Sequence, residues 1–332
     1  MRRPLGRCSL EVDPVVFGAW AIGGWFWGDT DDDKAAEAIA ASIDHGVGWI
    51  DTAPIYGFGH SEHVIGRAIR GREVRIATKA GLRWDSSVPG GEAFFQTRAA
   101  RLGNVQVTKN LRPESIRLEC EASLTRLGVE RIDLYQCHWP DGTTPVEDTM
   151  GALLELKGEG KIDAIGVSNF GPELLERAQR ALGDVPLAST QPRYSALDRA
   201  IEADVLPWCR EHEVAVIVYS PLEQGLLTGK VTAERVFPPG DRRGELPRFS
   251  PENRRAVAEA LSKLQPIAEE HGVTLAQMSI AWTFSRPGVT AAIVGARDGG
   301  QAAENAAAMH LSLADEELAR IDEVLGALRL SG

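Results

Sequence analysis

Apolar runs of strand length alternate along the chain with stretches whose apolar positions recur at helical spacing. The strand-length runs are PVVFG (14–18), VGWID (47–51), VRIATK (74–79), IDLYQCH (132–138), IDAIGVS (162–168), PLASTQ (186–191), VAVIVYS (214–220) and VTAAIVG (289–295). Most are continuously apolar rather than alternating, as parallel strands covered on both faces are. DDDKAAEAIAASIDHG opens on acids and closes on Gly46, and RPESIRLECEASLTRLG carries Pro113 in its first turn and Gly128 as its stop, the usual helix punctuation. TPVEDTMGALLELKGEG, GPELLERAQRALG and RAIEADVLPWCREH repeat the pattern. Eight strand–helix units predict an α/β fold, a (β/α)8 TIM barrel forming one domain over residues 1–332. A doubly wound sheet is the alternative, but GAWAIGG after the first strand lacks that fold's glycine fingerprint, and GFGHSEHVIG after the second resembles it only loosely.

Three segments depart from the short-loop rhythm. Residues 80–111 follow the third strand and 221–252 the seventh, and LSLADEELARIDEVLGALRL reads as an additional amphipathic C-terminal helix. Long connections in a barrel are commonly functional. The length and glycines of 221–252 suit a loop that closes over a bound cofactor.

Chemistry in such barrels sits at the carboxyl ends of the strands. The second strand ends in Asp51, with Tyr56 shortly after it, the third in Lys79 and the fourth in His138. The fifth ends in Ser168 and Asn169, the sixth in Gln191, and the seventh in Tyr219 and Ser220. Singly, Asp51 reads as a turn cap, Lys79 as a solvated lysine and His138 as a core histidine. Together on one rim they suit proton transfer. A phenol near pKa 10 is a poor acid at neutral pH; a neighbouring ammonium lowers it, a carboxylate holds the ammonium, and a histidine orients a carbonyl oxygen.

Composition narrows the partners. The 332 residues carry a net charge of −11, which argues against nucleic acid. No apolar run approaches the roughly 20 residues that cross a bilayer. MRRPLGRCSLEVDP holds no apolar segment long enough for a signal peptide, so a cytoplasmic location is expected. Four scattered cysteines without a Cys-x-x-Cys pair suit reduced thiols. No metal site is expected: GDTDDDK reads as helix capping, and His60 with His63 lacks a third ligand.

These strand-end motifs resemble the aldo-keto reductase superfamily, which includes the potassium-channel β-subunits. The resemblance rests on GWIDTAPIYGFGHSEHVIGRAI, VRIATKAG, IDLYQCHWPD, KIDAIGVSNF, VYSPLEQGLLTGK and AAIVGARDGGQAAENAAA, in order over essentially the whole chain. It implies NAD(P)H-dependent reduction of aldehydes and ketones. By the same resemblance Tyr56 is the general acid, Asp51 and Lys79 tune it, and His138 orients the carbonyl. Ser168, Asn169 and Gln191 would bind the nicotinamide carboxamide, with Tyr219 stacked on the ring. Gly18, Ala19, Trp20 and Asp51 would border the cofactor. Ser220, Pro221, Leu222, Gln224, Gly225, Leu226 and Lys230 would follow the pyrophosphate. Gly295, Arg297, Gln301, Glu304 and Asn305 would hold the adenosine end.

NADP(H) is favoured through Arg297, with NAD(H) as the second cofactor, because Gln301 stands where the family frequently has an Arg and a Gln cannot make a bidentate phosphate contact. Trp20, Trp25, Phe26, Trp27, Trp84 and Trp139 lie on strand-end loops and suggest an aromatic-walled pocket for a small carbonyl or sugar substrate. No membrane partner is expected, and the chain is expected as a monomer or small homo-oligomer. Two rival readings remain: a cofactor-binding redox sensor or regulatory subunit with little turnover, and a phosphate-binding barrel isomerase or aldolase without nicotinamide.

Overall fold

The structure, a computed structural model, describes residues 2–24, 26–28, 30–85, 87–99 and 102–331. A short antiparallel hairpin, β1 (Arg3–Pro4) and β2 (Glu11–Val12), precedes the first barrel strand, β3 (Val15–Gly18). The helix α1 (Asp32–Asp44) leads to β4 (Trp49–Asp51), and α2 (His60–Ala68) to β5 (Arg75–Ala80). Then come β6 (Leu82–Arg83), β7 (Glu92–Ala99) and β8 (Gly103–Lys109), followed by α3 (Pro113–Leu127) and β9 (Ile132–Cys137). The units α4 (Val146–Gly158) with β10 (Ile162–Ser168), α5 (Pro172–Leu182) with β11 (Leu187–Gln191), and α6 (Val205–Glu211) with β12 (Ala215–Tyr219) continue the alternation. After β12 run short 3-10 turns, then α7 (Pro251–Ser262), α8 (Gln265–Glu270), α9 (Leu275–Ser285), β13 (Ala291–Gly295), α10 (Gly299–Ala307) and α11 (Asp315–Gly326).

Eight of these strands close into a parallel barrel in the order β10-β11-β12-β13-β3-β4-β5-β9, the architecture the apolar runs predict. Local chemistry sets the helix starts. The Asp31 carboxylate accepts the amides of Asp33 and Lys34 at the head of α1, and Thr274 and Gln277 form a capping box on α9; a cap of this kind is worth about 1 kcal/mol. His60 bonds Asp32 at 2.8 Å and opens α2. Among the described residues no group of His, Cys, Asp and Glu could hold a metal ion, and no helix is long and apolar enough to cross a membrane. The four cysteines are free, and burial pushes the Cys120 thiol up to about 12.

Two apolar layers stabilise the barrel. Leu5, Leu10 and Val12 of the hairpin segment join Trp49, Leu134, Ile217 and five alanines (Ala77, Ala164, Ala188, Ala215 and Ala291) in one inner cluster. The Trp49 indole donates to the Glu11 carbonyl at 2.8 Å, which ties the hairpin to the barrel. Outside the strands a larger shell packs against the helices and includes Cys137. His138, the next residue, lines the cleft instead, as neighbours on a strand do.

The structure differs from the sequence pattern in three places. Residues 80–111 are not a plain loop: β6, β8 and β7 form a separate three-stranded antiparallel sheet. Its alternation in EAFFQTRA is broken by a bulge between Ala93 and Phe95, which hides the period from a linear reading. The hairpin β1–β2 is too short to show any period. The 199–212 stretch is split into a 3-10 turn at Ala200–Glu202 and α6, with Asp204 capping the second piece.

Candidate active site

Four groups meet at the carboxyl rim. Asp51 is the last residue of β4, Lys79 lies near the end of β5, and His138 directly follows β9. The Lys79 ammonium, fully buried, donates to Asp51 Oδ1 at 2.6 Å and to the Thr52 carbonyl at 2.9 Å. Its distance to the Tyr56 hydroxyl is 3.5 Å, the outer edge of hydrogen-bond range. The His138 ring stands edge-on to Tyr56, with centroids 5.8 Å apart. Inside the barrel, Gln191 Nε2 donates to Asp51 Oδ2 at 2.8 Å and Gln136 Nε2 to the same oxygen at 3.4 Å. Gln136 is buried inside the strand run 132–138 rather than at its end, so the reading of strand ends passed it over.

The electrostatics reverse one expectation. Burial pushes the Tyr56 hydroxyl well above the ordinary phenol value, and the Asp51 charge adds to the rise. Lys79, itself in contact with Asp51, does not outweigh the burial. Burial also pulls the Lys79 ammonium down, against the opposing pull of Asp51. His138 is pushed well below its usual value by burial and then by Lys79, which leaves a neutral imidazole. The free protein therefore holds a protonated phenol beside a neutral histidine throughout the neutral range. Any proton-transfer rate here is expected to stay flat from about pH 7 to about pH 9, since both groups are displaced outward from that window. A rate–pH profile with a midpoint near pH 8 would contradict this.

Asp51, Tyr56 and His138 border a cleft of ≈ 660 Å³. Gly18, Ala19, Trp20, Asp51, Tyr56, His138, Ser168, Asn169, Gln191, Tyr219, Ser220, Pro221, Leu222, Gln224, Gly225, Lys230, Gly295, Arg297, Gln301, Glu304 and Asn305 line it, as do Phe26, Trp27 and Trp139. Three expected residues do not. Lys79 is fully buried. Leu226 is buried in the helix-side core. Trp84 packs edge-on against Phe58, 5.6 Å away, below the outer sheet. Trp25 lies outside the described residues. The sequence reading missed Phe94 and Phe95 of β7, which line the cleft, Phe94 with its ring 5.4 Å from Trp139. It also missed Arg193 and Arg243, whose places depend on ion pairs with Glu223 and Asp241 that have no local signal.

The side chains are oriented by their neighbours. Tyr219 donates to Asn169 Oδ1 at 3.0 Å, and Asn169 Nδ2 donates to the His138 carbonyl at 3.0 Å. Ser168 Oγ donates to the Gln191 carbonyl at 2.7 Å. Among the described residues no donor reaches Gln191 Oε1. Farther along, Leu222 (φ −97°) is followed by Glu223 (φ 47°) and Gln224 (φ 53°), a tight turn closed by Glu223 N donating to the Ser220 carbonyl and Gly225 N to the Leu222 carbonyl, each at 2.9 Å. Lys230, Arg235, Arg243 and Arg297 line the same cleft. A free amide acceptor, a pinned aromatic ring and this basic stretch fit an amide-bearing ring joined to a polyphosphate, as in a nicotinamide dinucleotide. The segment after β3 meets the one after β12 at the cleft wall: Arg242 N donates to the Phe26 carbonyl at 3.1 Å, and Trp27 bridges Asp241.

A closed parallel barrel with this rim defines a nicotinamide-dependent oxidoreductase, and comparison with known proteins agrees. The pattern of the Aldo/keto reductase family matches residues 14–326. The NADH-specific methylglyoxal reductase of Escherichia coli (strain K12) is 38% identical over 333 residues, 98% of each chain. A probable voltage-gated potassium channel subunit beta of Arabidopsis thaliana is 32% identical over 91% of this chain and 88% of its own. The solved glycerol dehydrogenase AKR11B4 from Gluconobacter oxydans superposes with a TM-score of 0.85 at 38% identity, covering 98% of this chain and 94% of its own. The chain belongs to the aldo/keto reductase family and is an NAD(P)H-dependent oxidoreductase.

Proposed function

We propose that this protein reduces small aldehydes and ketones to alcohols, with Tyr56 as the proton donor. The observation that carries the reading is the Lys79 ammonium held 2.6 Å from Asp51 and 3.5 Å from the Tyr56 hydroxyl at the edge of an aromatic cleft. The nicotinamide, when bound, supplies the hydride. Trp20, Phe26, Trp27, Phe94 and Trp139 give the carbonyl an apolar surround. Neutral His138 directs its ring toward that oxygen. Tyr56 gives its proton to the oxygen as negative charge builds there; an alkoxide is far more basic than a phenolate, so the raised Tyr56 value does not block the transfer. Lys79 then faces the phenolate left behind and stabilises it until solvent returns the proton.

Tyr219, held by Asn169, would present its ring to a bound nicotinamide, and Gln191 Oε1 would accept from its carboxamide. Arg297, exposed at the adenosine end, favours NADPH by a narrow margin, since Gln301 is engaged with Asp298 at 2.8 Å. Asp298 itself caps α10. Arg297→Ala is expected to raise the KM for NADPH about tenfold, the low end for a charge-assisted contact because the site is open to solvent. The KM for NADH should stay within about twofold. Equal effects on both cofactors would remove Arg297 from the 2′-phosphate.

Following NADPH and NADH oxidation by absorbance with a panel of small aldehydes, ketones and sugars tests the proposal. Consumption with a carbonyl supports it. Binding without turnover favours the sensor reading, which the similarity to a channel subunit keeps in view. No binding of either dinucleotide overturns both.

A further inference from the structure

Between Ser220 and Gly225 the chain holds three non-glycine residues in the left-handed region: Ser220 (φ 60°), Glu223 (φ 47°) and Gln224 (φ 53°). A residue with a Cβ takes this conformation reluctantly, and it persists only where surrounding contacts over-determine it. Leu222, Gln224 and Gly225 line the cleft, whereas Glu223 between them does not. Its side chain is buried, 1% exposed. The carboxylate accepts from Ser195 Oγ at 2.7 Å and from Arg193 Nη2 at 2.6 Å, and pairs with Arg248 Nη1 at 3.3 Å. The next residue is held from another segment: Arg243 Nη1 donates to the Gln224 carbonyl at 3.0 Å, and Arg243 is itself paired with Asp241 at 2.6 Å.

A buried carboxylate with three partners, directed away from the cleft, has no part in proton transfer. We propose that Glu223 is a positioning residue whose ion pairs hold the Ser220–Gly225 turn, with Ser220, Glu223 and Gln224 left-handed, in the shape that receives the dinucleotide phosphates. The inference rests on the dinucleotide reading given above. Contacts to Arg193 and Ser195, just beyond β11, and to Arg248 fix the side chain, and the backbone follows. Released from them, the segment relaxes toward right-handed φ and no longer keeps Leu222, Gln224 and Gly225 in place at the cleft wall.

Two substitutions separate this role from plain stability. Glu223→Gln removes the charge and leaves a residue averse to the left-handed region. Glu223→Asn removes the same charge but tolerates that region. Both variants are expected to lose urea resistance to a similar degree, because each leaves Arg193 and Arg248 underpaired. NADPH affinity, measured by protein fluorescence, should split them. Glu223→Gln should bind about tenfold or more weakly, and Glu223→Asn within about threefold of the native protein. Amide hydrogen exchange over 220–226 in the dinucleotide-free protein should quicken in Glu223→Gln only. Gln and Asn variants that bind alike, whether as the native protein or equally weakened, overturn the proposal. Should neither variant fold, Ser195→Ala removes one bond to the carboxylate and is expected to weaken binding a few-fold; unchanged affinity there also overturns it. Native protein that binds no dinucleotide refutes the functional reading instead.

Discussion

Tyr56→Phe is expected to lower carbonyl reduction by about 10²–10⁴-fold while leaving dinucleotide binding and folding intact. Among the described residues the hydroxyl's only hydrogen-bond contact is the 3.5 Å approach of Lys79, so its removal breaks no short hydrogen bond. The ring remains, edge-on to His138 and 6.3 Å from Trp20 by centroids. Without the hydroxyl, the nearest proton source at the carbonyl is a neutral imidazole whose site disfavours protonation. Steady-state rates with NADPH and a small aldehyde, set against NADPH affinity by fluorescence titration, check this. A Phe variant that turns over within about tenfold of the native protein would pass the proton to another group. A variant that loses dinucleotide affinity as well would place Tyr56 in binding rather than in chemistry.

Much of this site was legible because barrel strands are apolar runs that end abruptly. At Asp51, Lys79, His138, Asn169 and Gln191 a polar side chain interrupts such a run, and the fold places every such interruption on one rim. The direction of the Tyr56 shift was not legible. Type and spacing put an ammonium near a phenol, but only coordinates show that Asp51 sits 2.6 Å from that ammonium and that burial dominates. The aromatic wall was half visible. Trp20, Trp27 and Trp139 stand beside strand ends, whereas Phe94 and Phe95 reach the cleft on a sheet folded back from a long insertion. Trp84 shows the converse: its loop position suggested the cleft, and its contacts with Phe58 turn it into support for that sheet. Arg243 and Glu223 were invisible because their roles depend on ion pairs closed by tertiary structure.

Lys79→Met is expected to damage stability and activity together, in a way that separates the ammonium's two tasks. Asp51, 3% exposed, would keep its bonds from Gln191 and Gln136 but lose its counter-charge. Breaking one half of a buried pair costs about 3–5 kcal/mol. Adding Asp51→Asn removes the stranded charge and should restore most of the denaturant midpoint at neutral pH. It should not restore turnover, because the phenolate formed at Tyr56 would still face no cation. Denaturation and a rate assay on the single and double variants read both. Recovery of activity with stability in the double variant would mean that the ammonium serves the fold alone.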